Sequence, residues 1–453
     1  MVSEIIYQAY CAILKEELVP AMGCTEPIAV AYAAAKAREV LGKMPQRVEI
    51  HCSANIVKNV KSVTVPNTGG LRGIEAAAIA GIISNAAHRK LEVLEQLTDA
   101  DRDEIRKLLA LDYCTAILEE GFEGLYIDAR VFVAEPHREQ SARVVIQSSH
   151  TGIVLIEKDG QVIYSLAPVY EAENAAADEC CQVLPAGGFV EFSYVSPDRH
   201  EYALLNVRDI ISFAESVRIE DVSEQICQQI FMNTAIAEEG LINNYGVSVG
   251  KSLLKYRADD VRVRSRAKAA AGSDARMAGC ALPVVINSGS GNQGLTVSLP
   301  VIEYAKELGA DEKRLIRALV ISNLVALEQK EYIGKLSAYC GAVSAAVGSA
   351  AAIAWLEGAG YKEIAATITN AIATAGGILC DGAKSSCAAK IATALEAAIM
   401  AKEIGLQEKK SFSNGEGLVG PDVEATIRNV GYVGSKGMRS TDIEIMKLML
   451  RKS

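Results

Sequence analysis

LSAYCGAVSAAVGSAAAIAWL, residues 336–356, is the stretch on which the fold turns. It contains no Asp, Glu, Lys or Arg, and its length suits a bilayer crossing of about 20 residues. It reads either as a membrane span or as a helix buried inside a helical bundle. Composition chooses between them. Most of the stretch is Ala, Gly, Ser and Val. Such residues gain little from lipid, yet they let helix backbones approach closely. We read it as a buried helix of a soluble bundle, apolar all round because it is buried all round.

The whole chain has the same character. Half of its 453 residues are hydrophobic and only 5% are aromatic, so Ala and Gly supply much of the apolar content. That length predicts about two or three domains and is ample for a core without disulfide staples. The net charge is −10 with no Lys/Arg run, which argues against a nucleic-acid partner, since phosphate binding needs a basic face. The first twenty residues read as an amphipathic helix without the features of a signal peptide. The 11 cysteines form no regular framework, so reduced thiols and a cytoplasmic location are expected.

Hydropathy patterning predicts helices over 3–18 and 27–42, then strands across RVEIHCSANIVKNVKSVTVP (47–66). A glycine turn, NTGGLRG (67–73), leads to helices over 74–88 and 91–109. Residues 124–167 alternate as strands, and Asp159-Gly160 marks a hairpin. The stretch 171–206 has no clear pattern. From Arg208 onward the chain is helical, with segments around 210–239, 301–309, 312–329, 335–357, 361–374 and 384–404. SFSNGEGLVG (411–420) is a loop, and one more helix closes the chain. The expected fold is α+β and mostly helical, with a large all-α C-terminal domain and a smaller α+β region in the N-terminal half. The expected domains are 1–43 (N-terminal helices packed on the helical domain), 44–207 (α+β) and 208–453 (all-helical).

Three cysteines of the helical part carry the first chemical signal: Cys340 in SAYCGAV, and Cys380 and Cys387 in GGILCDGAKSSCAAK. The DGAKSS segment can loop so that both sulfurs converge, and Gly376, Gly377 and Gly382 let backbone N–H groups approach a thiolate. Three ordinary buried thiols, a zinc ion with one open position and a [4Fe–4S] cluster with one iron left free are the readings that spacing leaves open. The loop NSGSGNQG places Gly289, Gly291 and Gly294 in a G-x-G-x-x-G pattern. LTVSLP then follows, and Pro300 would fall inside any helix opened there, so a dinucleotide site is disfavoured. Ser288, Gly289, Ser290, Asn292 and Gln293 are instead candidates to cradle a carboxylate, as are Asn67, Thr68 and Gly69 ahead of another helix. In VPAMGCTEPIAV, Cys24 stands just before a helix start with Pro27 in its first turn. A thiol there is either favoured as a thiolate by the helix start, and so usable as a general base, or simply a small residue in a tight entry turn. None of the five histidines falls in the helical part, and no hydrolase motif is present. No lysine context singles out a pyridoxal phosphate site, Lys335 beside the Cys340 helix being the one lysine kept in view for it.

MGCTEPIAVAYAAA, NSGSGNQG, the YCGA cysteine and LCDGAKSSC together resemble the L-cysteine desulfidase group, a bacterial branch of the iron–sulfur L-serine dehydratase α-chain superfamily. The resemblance covers essentially the whole chain. It implies that Cys340, Cys380 and Cys387 bind a [4Fe–4S] cluster with one open iron, and that Cys24 is the base. It implies β-elimination from L-cysteine to 2-aminoacrylate, with L-serine as the nearest alternative substrate. Related dehydratases carry a tail cysteine that reaches the site; KLMLRKS has none, so that gating is not expected. The expected partner is a small amino acid, with a homodimer as the assembly. A metal-binding protein without lyase activity and a helical scaffold or membrane-associated protein are the competing classes.

Overall fold

The computed structural model describes residues 2–119, 121–122, 124–136, 138–166 and 199–450. The unpatterned stretch 171–206 lies for the most part outside them. The chain opens with α1 (Glu4–Glu17), β1 (Pro20–Met22) and α2 (Thr25–Leu41), then β2 (Arg47–Cys52), α3 (Ala54–Val60), α4 (Ile74–Ser84) and α5 (Asp99–Ala110). Five strands follow: β3 (Cys114–Leu118), β4 (Tyr126–Glu135), β5 (Arg138–Gln147), β6 (Ile153–Lys158) and β7 (Gln161–Ser165). The helical part holds α6 (Val207–Ser216), α7 (Ser223–Ile242), α8 (Val249–Arg257) and α9 (Val261–Met277), then the short strand β8 (Pro283–Val285). It continues with α10 (Gly291–Glu307), α11 (Glu312–Ile333), α12 (Gly341–Leu356), α13 (Tyr361–Ala375), α14 (Ser386–Gln407), α15 (Val423–Tyr432) and α16 (Arg439–Leu450).

The larger sheet has the order β3-β2-β4-β5-β6-β7. β2 and β3 run parallel and the other pairs antiparallel. The register sets Val48, Ile50 and Cys52 opposite Val131, Ala129 and Ile127, and these opposite Ala142, Val144 and Ile146. All nine are buried, because alternate residues of a strand share a face. α2 and α4 lie side by side against the sheet, while α1 lies against α11. The hairpin falls at Asp159-Gly160, with φ of 50° and 78°, the positive pair that a two-residue turn requires.

α12 is the buried centre of the helical part: every residue from Ala342 to Ala354 is buried, with α10, α11, α13 and α14 packed around it. Gly348 shows how tight this is. A Cβ there would sit 2.3 Å from the carbonyl oxygen of Ser322 in α11. Among the described residues, no helix is long and apolar enough to cross a membrane.

Several expected elements differ. Residues 47–66 are not all strand. The strand ends at Cys52, and ANIVKNV becomes α3 with Ile56 and Val60 buried one turn apart, tertiary burial outweighing β-branched propensity. The helix expected over 91–109 begins only at Asp99, where Thr98 and Asp101 form a capping box. LTVSLP is helical, not extended, and Pro300 lies inside α10. A proline cannot donate to the carbonyl four residues back; here that carbonyl, on Thr296, accepts the Ser349 hydroxyl of α12 instead. The G-x-G-x-x-G loop therefore does open a helix. The strand before it, β8, pairs antiparallel with β1, so the loop belongs to no βαβ unit. Residues 249–277 form two helices not singled out in the sequence, and the chain closes with α15 and α16 rather than one helix.

Gly348→Ala should destabilise the protein by about 1–3 kcal/mol through overpacking, although Ala is the better helix former. Urea unfolding measures it; unchanged or higher stability would contradict the close α11–α12 contact.

Candidate active site

Backbone geometry converges four cysteines. Cys24 is the N-cap residue of α2, and Gly23 before it adopts φ 52° in a spot where a Cβ would strike Pro66. β1 pairs antiparallel with β8, Pro20 opposite Val285 and Met22 opposite Pro283, and Cys24 meets Ser290, Asn292 and Gln293 across one cavity. Cys340 is the N-cap residue of α12, and Cys387 stands in the first turn of α14. The segments bearing Cys340 and Cys380 are stitched together. Cys340 N–H donates to Ile378 O (3.1 Å) and Cys380 N–H to Ala338 O (2.7 Å), with Tyr339 and Leu379 forming an antiparallel bridge. A buried lysine of α3 braces both: Lys58 donates to Cys380 O at 3.2 Å and pairs with Asp442 of α16. Asp442 also accepts from the Ala338 N–H at 2.9 Å.

Cys24, Cys340, Cys380 and Cys387 line one cavity of about 90 Å³. Glu26, Arg276, Ser290, Asn292, Gln293, Lys330, Lys335 and Lys390 line it too. Cys24 and Cys387 also share a small apolar patch with Val63 and Met277.

The electrostatics correct one expectation. Cys24 is not a ready thiolate. Burial pushes its pKa well up, the Glu26 carboxylate adds to the rise, and Arg276 pulls against it. Its Sγ donates to Glu26 Oε2 at 3.0 Å. The helix dipole favours charge by a small amount at a terminus, and with 2% of the residue exposed desolvation wins. Burial and the neighbouring Cys380 push Cys340 up to about 12, and burial raises Cys387. Lys330 is brought down to about 8 by burial, against the pull of Cys380 and Cys340. Thiols in this state keep their protons near neutral pH unless a cation replaces them. Among the described residues no three Cys, His, Asp or Glu form a group that holds one metal ion. Three thiols around a shared cavity fit the donor chemistry of an iron–sulfur cluster, which takes cysteine thiolates as its ligands.

The other candidates divide. Ser290, Asn292 and Gln293 line the cavity. Ser288 faces a neighbouring smaller space with Glu17, Lys330 and Lys335. Gly289 (φ 74°) lies against the buried ring of His150, whose pKa burial lowers to about 4. Asn67, Thr68 and Gly69 are elsewhere. Asn67 donates to the carbonyls of Leu94 and Glu95, Thr68 bonds back to Val65 O, and Gly69 abuts Arg106 of α5. Their polar groups serve the packing of the α5 region. Glu26, Arg276, Lys330 and His150 were not singled out in the sequence as site residues. Glu26 is in sequence only an acidic residue in the first turn of α2, and Arg276 carries only one sign, a charge in the small-residue run AAAGSDARMAG.

Asp442→Asn should cost about 3 kcal/mol, because it leaves the buried Lys58 charge without its counter-ion. Guanidinium unfolding reads this directly; a loss below about 1 kcal/mol would mean the pair does not brace the two cysteine segments.

Comparison with known proteins places these residues in a family. The profile of the serine dehydratase alpha chain matches residues 88–447. A UPF0597 protein of Desulfitobacterium hafniense is 48% identical over 98% of this chain and 97% of its own length. One from Lachnoclostridium phytofermentans is 48% identical over 98% and 100%, and one from Fusobacterium nucleatum 40% over 97% and 98%. The chain belongs to the serine dehydratase alpha-chain family.

Proposed function

We propose that this protein is a β-eliminating lyase that converts L-cysteine to sulfide, ammonia and pyruvate through 2-aminoacrylate, with L-serine dehydration by the same mechanism as the alternative. One observation carries the reading: Cys24, Cys340, Cys380 and Cys387 open into one cavity. Membership of a serine dehydratase family supports it. Cys340, Cys380 and Cys387 would hold a [4Fe–4S] cluster. When bound, it supplies an open iron that acts as a Lewis acid on the leaving group.

The remaining chemistry belongs to the chain. The Cα proton of an amino acid is weakly acidic, so elimination needs a placed base and an assisted leaving group. Cys24, whose thiol donates to Glu26 Oε2 at 3.0 Å, loses that proton to solvent, and the thiolate so formed removes the Cα proton. The Cα–H pair forms the new double bond as the C–S bond breaks and the sulfur leaves with its electrons. 2-Aminoacrylate then tautomerises and hydrolyses without further catalysis. Ser290, Asn292 and Gln293 of the loop line the same cavity and would meet the substrate's polar head groups. The cavity's apolar walls, Leu336, Ala342, Ala383 and Ile391, limit water and strengthen each charge–charge interaction. A reduced, cytoplasmic setting goes with this reading, the nine described cysteines being free thiols.

Protein purified without oxygen should be brown and release sulfide from L-cysteine faster than pyruvate from L-serine. Alanine at Cys340, Cys380 or Cys387 should remove the colour. Colourless wild-type protein after anaerobic reconstitution with iron and sulfide would overturn the proposal. Cys24→Ala should keep the colour and lose turnover; surviving turnover would remove Cys24 as the base.

The raised Cys24 pKa sets a pH dependence. The base must lose its proton to act, so kcat/KM should climb with pH and fall away as pH drops through that pKa. The limb should lie above the ordinary thiol value of about 8.5. A rising limb near pH 6 would assign the base to another group.

A further inference from the structure

The geometry points to Arg276 as the carboxylate subsite of this cavity, completed for an α-amino acid by Asn292 and Gln293. Arg276 is in the last turn of α9, 2% exposed, and it lines the cavity with Cys24 and Glu26. Its Nε and Nη2 are buried with no hydrogen-bond partner among the described residues. These nitrogens form one edge of the guanidinium, where their N–H bonds run parallel. That edge matches the two oxygens of a single carboxylate. A guanidinium does not shed its proton in a protein, so its burial here calls for an anion.

Two further features say which anion. The first residue of α10 is Gly291, and a Cβ there would lie 2.3 Å from Arg276 Nε. Any side chain at 291 would occupy the free edge. Beside it, Asn292 Oδ1 and Gln293 Oε1 are also buried without partners among the described residues, and both residues line the same cavity. The Asn292 amide donates through Nδ2 to Met277 Sδ at 3.6 Å, which leaves its oxygen free to accept. Two parallel donors and two nearby acceptors complement a carboxylate and an ammonium on one carbon. Inorganic phosphate or a plain carboxylic acid would leave the acceptors unmet.

This inference rests on the lyase reading for its choice of an amino acid, and a binding measurement separates the two. L-Alanine has both head groups and no leaving group, so it binds without reacting. Calorimetric titration of the anaerobically purified protein should show that L-alanine binds, whereas L-alaninamide, without the carboxylate charge, and propionate, without the amine, do not. Arg276→Gln should weaken L-alanine on the order of 100-fold, and Arg276→Lys should recover part of that loss. Thermal melts establish whether each variant folds; the wild-type comparison stands even where one does not. Equal binding of L-alanine and L-alaninamide, no binding of L-alanine, or full affinity in a folded Arg276→Gln protein would each overturn the subsite. Arg276-dependent L-alanine binding in a protein that releases no sulfide would uphold the subsite and sink the lyase reading instead.

Discussion

Two backbone hydrogen bonds, from Cys340 N–H to Ile378 O and from Cys380 N–H to Ala338 O, hold together the segments on which the site depends. Each segment joins one helix to the next and would otherwise be free to drift. Buried polar backbone must be paired, and here the pairing doubles as alignment of two thiols. Lys58 binds Cys380 O and Asp442 accepts from the Ala338 N–H, so α3 and α16 are clamped to these segments from opposite parts of the chain. The rest of the cavity is assembled on this frame. The β1–β8 pairing delivers Cys24 and the 288–293 loop, and α9 delivers Arg276.

Small residues make such convergence affordable in space. α12 is hidden on every side, and its Gly348 all but touches the α11 backbone. Side chains of ordinary size would separate the helices and with them the residues at their ends. The same economy rescues Pro300. Close packing brings the Ser349 hydroxyl to the carbonyl that the proline leaves without a donor, so α10 continues where its own sequence argues for a stop.

What was legible in the sequence was whatever local pattern decides. α12 followed from its composition, the hairpin from Asp159-Gly160, and the cysteines from their motifs. What was hidden depends on contacts between distant segments. ANIVKNV looks like strand until Ile56 and Val60 find a core. The NTGG loop looks like an anion cradle until Asn67 is seen to be engaged by backbone carbonyls. Arg276 has no motif at all; its free edge is visible only once the cavity is formed. Cys24 is the subtlest case. Its position at a helix start was readable, yet the sign of its pKa shift was not, because burial and Glu26 are tertiary facts. That shift changes its chemistry from a standing thiolate to a thiol that must first lose its proton.

The central claim is that Cys340, Cys380 and Cys387 together hold one cluster and leave one iron to the substrate. Mössbauer spectroscopy of the anaerobic protein, reconstituted with isotopically enriched iron, tests it most directly. The account predicts about four irons per chain, one of them distinct from the other three and shifting when L-cysteine is added. Iron that stays unbound, or a set of equivalent irons indifferent to L-cysteine, would contradict it.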